Sequence, residues 1–170
     1  MQQIRRRAAG IAALAAITFI LHAQNFAASA LVIRVDPEIH LDTPSASLSF
    51  QLNNPGETLY SQPVAVTAWV RALPGQQIHL TALLQSLKGP SGDAQPASLT
   101  WTGAMSSATG GATAASCSAG GFSNNEPQQL IANWTQSGIA RCAFTFALAT
   151  NSSWPAGRYD GAVSFSLTAN

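Results

Sequence analysis

Two cysteines, an acidic cluster holding one histidine, and a tryptophan beside an arginine are the residues whose types and spacing could do chemistry. Cys117 and Cys142 are the chain's only thiols. Cys142 alternates with Phe144, Phe146 and Leu148, so on a strand it lies on the apolar side. An inert disulfide suits that setting better than a reactive thiolate. An even cysteine count in a chain that opens with an export signal points the same way, to a Cys117–Cys142 bond. Asp36, Glu38, His40 and Asp42 project from one strand face at i, i+2 spacing, and carboxylates with an imidazole can hold a divalent ion. Nothing closes the ligand set, and charge on an edge strand ordinarily discourages edge-to-edge pairing, so no metal site is assigned. Trp69 opposes the valines of its own strand and stands two residues from Arg71. An exposed indole there would stack on a sugar ring or a partner's side chain, whereas most large aromatics are buried. Trp69 and Arg71 are therefore the candidate partner or glycan contact.

Catalysis finds little support. Beyond the N-terminal leader there are two histidines, His40 and His79, with no Gly-x-Ser-x-Gly elbow and no paired acids in a recognisable arrangement. The reading is a non-enzyme with no catalytic residues, no cofactor and no metal. The sequons Asn133-Trp-Thr135 and Asn151-Ser-Ser153 matter only in a glycosylating host.

The elements that must position these residues read as short strands. Leu31, Ile33, Val35, Pro37, Ile39 and Leu41 share one side of a long N-terminal strand, or of two short ones broken at Pro37, and Pro37, which cannot donate to a ladder, puts the segment at a sheet edge or at a crossing between sheets. Leu48, Phe50 and Leu52 mark a second strand that ends at Asn53-Asn54-Pro55-Gly56. Val64, Val66 and Val70 face inward on a third, with Trp69 and Arg71 outward. Ile78, Leu80 and Ala82 form a fourth, running into Leu83-Leu84, and Leu99 and Trp101 mark a short fifth. From Gly103 to Asn125 the chain is rich in Ala, Ser, Thr and Gly and the alternation disappears, leaving a short strand around Cys117 between loops. Leu130, Ala132 and Trp134 alternate again. The chain closes with a hairpin-like pair: Cys142 to Leu148, the loop Asn151–Arg158, then Tyr159, Val163, Phe165 and Leu167. Trp154 packs under that loop.

Eight or nine short strands, turn signals about every ten residues and no helical period predict an all-β fold, an antiparallel immunoglobulin-like β-sandwich, with a jelly roll or barrel as runner-up. At 170 residues the chain has room for one domain of ordinary size. The first thirty residues carry three arginines, a charge-free apolar run of about 14 residues and Ala28-Ser29-Ala30, the layout of a secretory signal peptide. The run is shorter than the roughly 20 residues of a spanning helix. Cleavage is expected after Ala30, with Ala23 as the alternative, leaving residues 31–170 as a single sandwich domain. Past residue 30 there are five basic residues against seven acidic ones. With no basic cluster, nucleic acid and anionic membrane are poor partners. The expected location is secreted, periplasmic or cell-surface.

Pro155-Ala-Gly-Arg-Tyr159-Asp-Gly161-Ala-Val-Ser-Phe165-Ser-Leu-Thr-Ala-Asn170 resembles the C-terminal strand of bacterial secreted immunoglobulin-like domains and the end of pilin and spore-coat-U-type fimbrial subunits. The resemblance implies a structural or adhesive role at the cell envelope, with the Leu31–Leu41 strand able to complement a neighbouring subunit. Ala169 stands where chaperone–usher subunits usually have a penultimate tyrosine, and the disulfide falls late in the chain, so the carry-over is one of fold. The expected partner is a protein, or a second copy met through an edge strand, or a glycan. A carbohydrate-binding module is the alternative function.

Overall fold

A computed structural model describes residues 36–94 and 98–170. The expected signal peptide, both cleavage points and residues 31–35 of the N-terminal strand lie outside the described residues. Eleven strands are found among those described: β1 Glu38–Leu41, β2 Ser45–Leu52, β3 Thr58–Tyr60, β4 Val64–Arg71, β5 Gln77–Gly89, β6 Gly92–Asp93, β7 Leu99–Gly110, β8 Gly120–Gly121, β9 Gln128–Thr135, β10 Gly138–Ala149 and β11 Gly157–Ala169. The first sheet runs β1-β4-β10-β7-β8, with β3 beside β10; the second runs β2-β11-β5-β6, with β9 also on β5. All pairings are antiparallel. Two separate sheets over one core make an antiparallel β-sandwich, not a closed barrel.

Alternation builds the core. Val66, Ala68 and Val70 of β4, Cys142, Phe144, Phe146 and Leu148 of β10, and Tyr159, Val163, Phe165 and Leu167 of β11 are all buried. Among the described residues no buried side chain is charged or polar beyond the aromatic Tyr and Trp. The core is therefore held by apolar burial, at about 1.5–3 kcal/mol for each fully buried large side chain.

The closing segments do not form a hairpin. β10 lies in the first sheet and β11 in the second, and they meet face to face across the core, where Phe144 and Phe165 stack with centroids 6.2 Å apart. Each strand turns one alternating set of apolar residues inward, which is as true of two strands opposed across a sandwich as of two paired in one sheet. At the corner between them Tyr159 donates its hydroxyl to the Pro155 carbonyl at 2.9 Å, much as the tyrosine corner of immunoglobulin-like sandwiches ties a strand to the backbone upstream. Trp154 stacks on Tyr159 at 5.1 Å, so it packs, partly buried, against the start of β11 and not under its own loop.

The fifth strand is long, not short. β7 continues to Gly110, pairing with β10 from Leu99 opposite Leu148 to Gly110 opposite Gly138. Small residues conceal this strand because they carry no hydrophobic alternation, yet their backbones bond in the ladder like any others. They are small for a reason: at Gly103 a Cβ would lie 2.7 Å from the Cys117 carbonyl oxygen and 2.9 Å from the Phe144 ring. Cys117 itself sits on no strand. A single 3-10 turn, Gly111–Ala114, leads into an extended segment that carries Cys117 to β8.

Candidate functional site

The outer face of the first sheet assembles the candidate contact. Trp69 of β4 lies in register between His40 of β1 and Ile139 of β10, and Thr109 of β7 follows Ile139. Because Val66, Ala68 and Val70 take the inward positions, Trp69 must point outward. Its indole is half-buried. The Arg71 guanidinium stands over that indole, 5.3 Å from the ring centroid, a cation–π contact worth about 0.5–1 kcal/mol at an exposed site. The strand pairing also sets Arg71 opposite Glu38, with Nη1 3.7 Å from Oε2. At that distance and exposure the ion pair contributes little stability, but it orients the guanidinium across the indole. The sequence-derived pair Trp69 and Arg71 is thus brought together. Chemically the patch offers an aromatic surface, a guanidinium with free donors and a neighbouring carboxylate.

The acidic cluster is organised otherwise. His40 Nε2 meets Asp42 Oδ1 at 2.8 Å, and Glu38 turns to Arg71. Among the described residues no three His, Cys, Asp or Glu side chains converge as metal ligands. The described part of the N-terminal strand, β1, is at the edge of its own sheet, paired to β4 alone.

Cys117 and Cys142 are bonded, with Cα atoms 5.9 Å apart, as their number and the inward side of Cys142 require. Such a bond fits an oxidising compartment outside the cytoplasm. No helix among the described residues is long and apolar enough to cross a membrane.

Three surface features escaped the sequence. Tyr60 on β3 is 70% exposed, on the same outer face as Trp69 but opposite Ala147. A cleft of about 350 Å³ opens at the other end of the sandwich, with Asp93, Asn151, Trp154 and Tyr159 among its walls. On the outer face of the second sheet, Arg158 Nε donates to both Asp160 oxygens at 2.8 and 3.0 Å. That contact, with help from the Ser49 hydroxyl, holds the Asp160 carboxyl below its ordinary range against a smaller desolvation effect, while burial pushes the Tyr159 phenol up. The chain matches no protein-family model, no curated protein and no solved structure.

Proposed function

We propose that this protein is an exported, non-enzymatic β-sandwich with a structural or adhesive role at the cell envelope, of the kind a fimbria-like subunit plays. The observation that carries the reading is the outer face of the first sheet, where a half-buried indole lies under a guanidinium on a rigid, disulfide-stapled scaffold. A flat strand face holds such a patch at low conformational cost, which suits contact with a partner surface. The test is to fractionate cells making the full chain and to measure binding of the exported protein to whole cells, with and without Trp69→Ala. Recovery in the cytoplasm with two alkylatable thiols would overturn the address. Undiminished binding by Trp69→Ala would overturn the contact face.

A carbohydrate-binding module is the second reading, favoured by the same indole because aromatic faces stack on sugar rings. Glycan-array binding that Trp69→Ala abolishes, with no binding to deglycosylated cells, separates it from protein adhesion.

A further inference from the structure

The two side walls of the sandwich are finished differently. On the β7/β9 side, the segment that carries Cys117 bridges the sheets. Ser118 donates from its backbone N–H and its hydroxyl to the Ile131 carbonyl at 2.9 and 3.0 Å. Trp101 Nε1 donates to the Ser118 carbonyl at 3.0 Å, and the disulfide fixes the segment to β10. A bulge at Ile131 further interrupts the β9 edge. This wall is closed.

The opposite wall is formed by β1 and β3 of the first sheet and β2 of the second. The chain crosses between the sheets there in three residues, Asp42 to Pro44. β2 then pairs with β11 without a register break, from Ser45 opposite Ser164 to Leu52 opposite Gly157. Phe165 donates its N–H to the Pro44 carbonyl at 2.8 Å, which sets the phase of the ladder. Even-numbered residues of β2 direct their backbone groups at β11, and Ser45, Ser47, Ser49 and Gln51 direct theirs away from it. No strand lies on that side among the described residues. All four residues are exposed.

An edge of this length is ordinarily blunted by charge, proline or a bulge. β1 has Glu38, His40 and the preceding Pro37; β9 has its bulge. β2, with the sequence Ser-Ala-Ser-Leu-Ser-Phe-Gln-Leu, has no charge and no bulge, and the proline before it, Pro44, turns its backbone to β11 and leaves the open edge unblunted. Of the four exposed large apolar side chains among the described residues, Ile39 and Tyr60 lie on β1 and β3, the first-sheet strands of this open wall, while Leu73 and Leu130 lie elsewhere.

We propose that β2 is a self-association edge: two copies pair their β2 strands antiparallel about a two-fold axis near Leu48, joining their second sheets into one. Ser47 then meets the second copy's Ser49, and Ser45 meets its Gln51. A second copy fits this edge because an isologous contact requires a strand that does not repel itself. The row facing the seam carries no charge, and the nearest charges, Arg158 and Asp160 one strand in, are already paired with each other. The inference rests on the fold alone and holds whichever surface the protein adheres to.

The experiment is sedimentation of the exported, oxidised protein up to roughly 100 µM, a range that detects weak symmetric contacts. Two charge variants accompany it, one with Ser45→Lys and Ser47→Lys, the other with Ser45→Glu and Ser47→Glu. The wild type is expected to dimerise. Each variant alone should keep the wild-type thermal midpoint but weaken dimerisation tenfold or more, and an equimolar mixture of the two should form the heterodimer. A wild type that stays monomeric, or dimers that persist in both variants, would overturn the proposal. If a variant fails to fold, amide exchange in the wild type decides. Ser47 and Ser49 must gain protection as concentration rises, and unchanged exchange there would equally sink the idea.

Discussion

Gly120 lies flat against the indole of Trp101, where a Cβ would approach Cζ2 to 2.5 Å and Cη2 to 3.0 Å. The contact seats β8 on β7 and brings the Ser118 carbonyl within reach of the indole N–H. Since the indole is also packed against Phe122 at 4.8 Å, it has little room to retreat. Gly120→Ala is expected to destabilise by about 1–3 kcal/mol, the usual cost of overpacking. Trp101→Phe removes the two crowded ring atoms, so in the double variant the two losses should fall short of additive. Urea midpoints for the two singles and the double measure the coupling, and simple additivity would count against this packing.

Removing the disulfide with Cys117→Ala and Cys142→Ala should cost roughly 3.5 kcal/mol by the chain-entropy argument, given its 25-residue separation. The loss should not be uniform. The segment it pins is otherwise held by a few hydrogen bonds to Ile131, Trp101 and Leu99. The amides of Ser118 and Phe122 should therefore lose exchange protection before those of β10 and β11 do. Equal loss across the whole sandwich would mean the segment and the core open together.

Strand identity was legible wherever apolar residues alternated, and two of the three bulged strands, β9 and β5, show where that reading fails. On β9 the sequence puts Leu130, Ala132 and Trp134 on one face. In the ladder Leu80 is opposite Ala132 and Thr81 is opposite Leu130, so Ile131 is the extra residue. Ile131 and Ala132 are both buried and Leu130 is 45% exposed. On β5 Gln85 is the extra residue opposite β11, so the inward set passes from Leu84 to Leu87, while Leu83 before the bulge takes the outward side. A bulge is set by the pairing of two distant segments, so no local pattern announces it. β7 was missed beyond Trp101 for a different reason, because Ala, Ser, Thr and Gly leave no periodic mark. The candidate contact fared better: the parity of Trp69 against three valines was enough to put it and Arg71 on the outer face. Tyr60, in a three-residue strand, gave no such signal.

The β9 bulge makes a direct prediction. Ile131→Ala should cost about 2–5 kcal/mol, as burial of a large aliphatic side chain implies, whereas Leu130→Ala should stay within about 0.5 kcal/mol. Thermal or urea unfolding of the two variants decides it. The reverse order would place Leu130 in the core and remove the bulge.

Asp160 gives the fold a defined acid response. Its carboxyl is held below the ordinary aspartate range chiefly by the hydrogen bond from Arg158, with a further bond from Ser49. A lowered folded-state pKa means that the unfolded chain takes up its proton first as pH falls. The stabilisation is therefore fully present above the unfolded value and is lost as pH drops through the folded one. In Arg158→Gln the carboxyl should titrate higher, nearer the usual aspartate value, by carbon-detected NMR. The urea midpoints of wild type and variant should differ at about pH 6 and draw together in strong acid, where both carboxyls are protonated. Because the pair is exposed, added salt should shrink the difference at neutral pH. A gap that persists unchanged below the Asp160 titration would show that Arg158 acts through packing of its stem on β2 and not through the carboxylate.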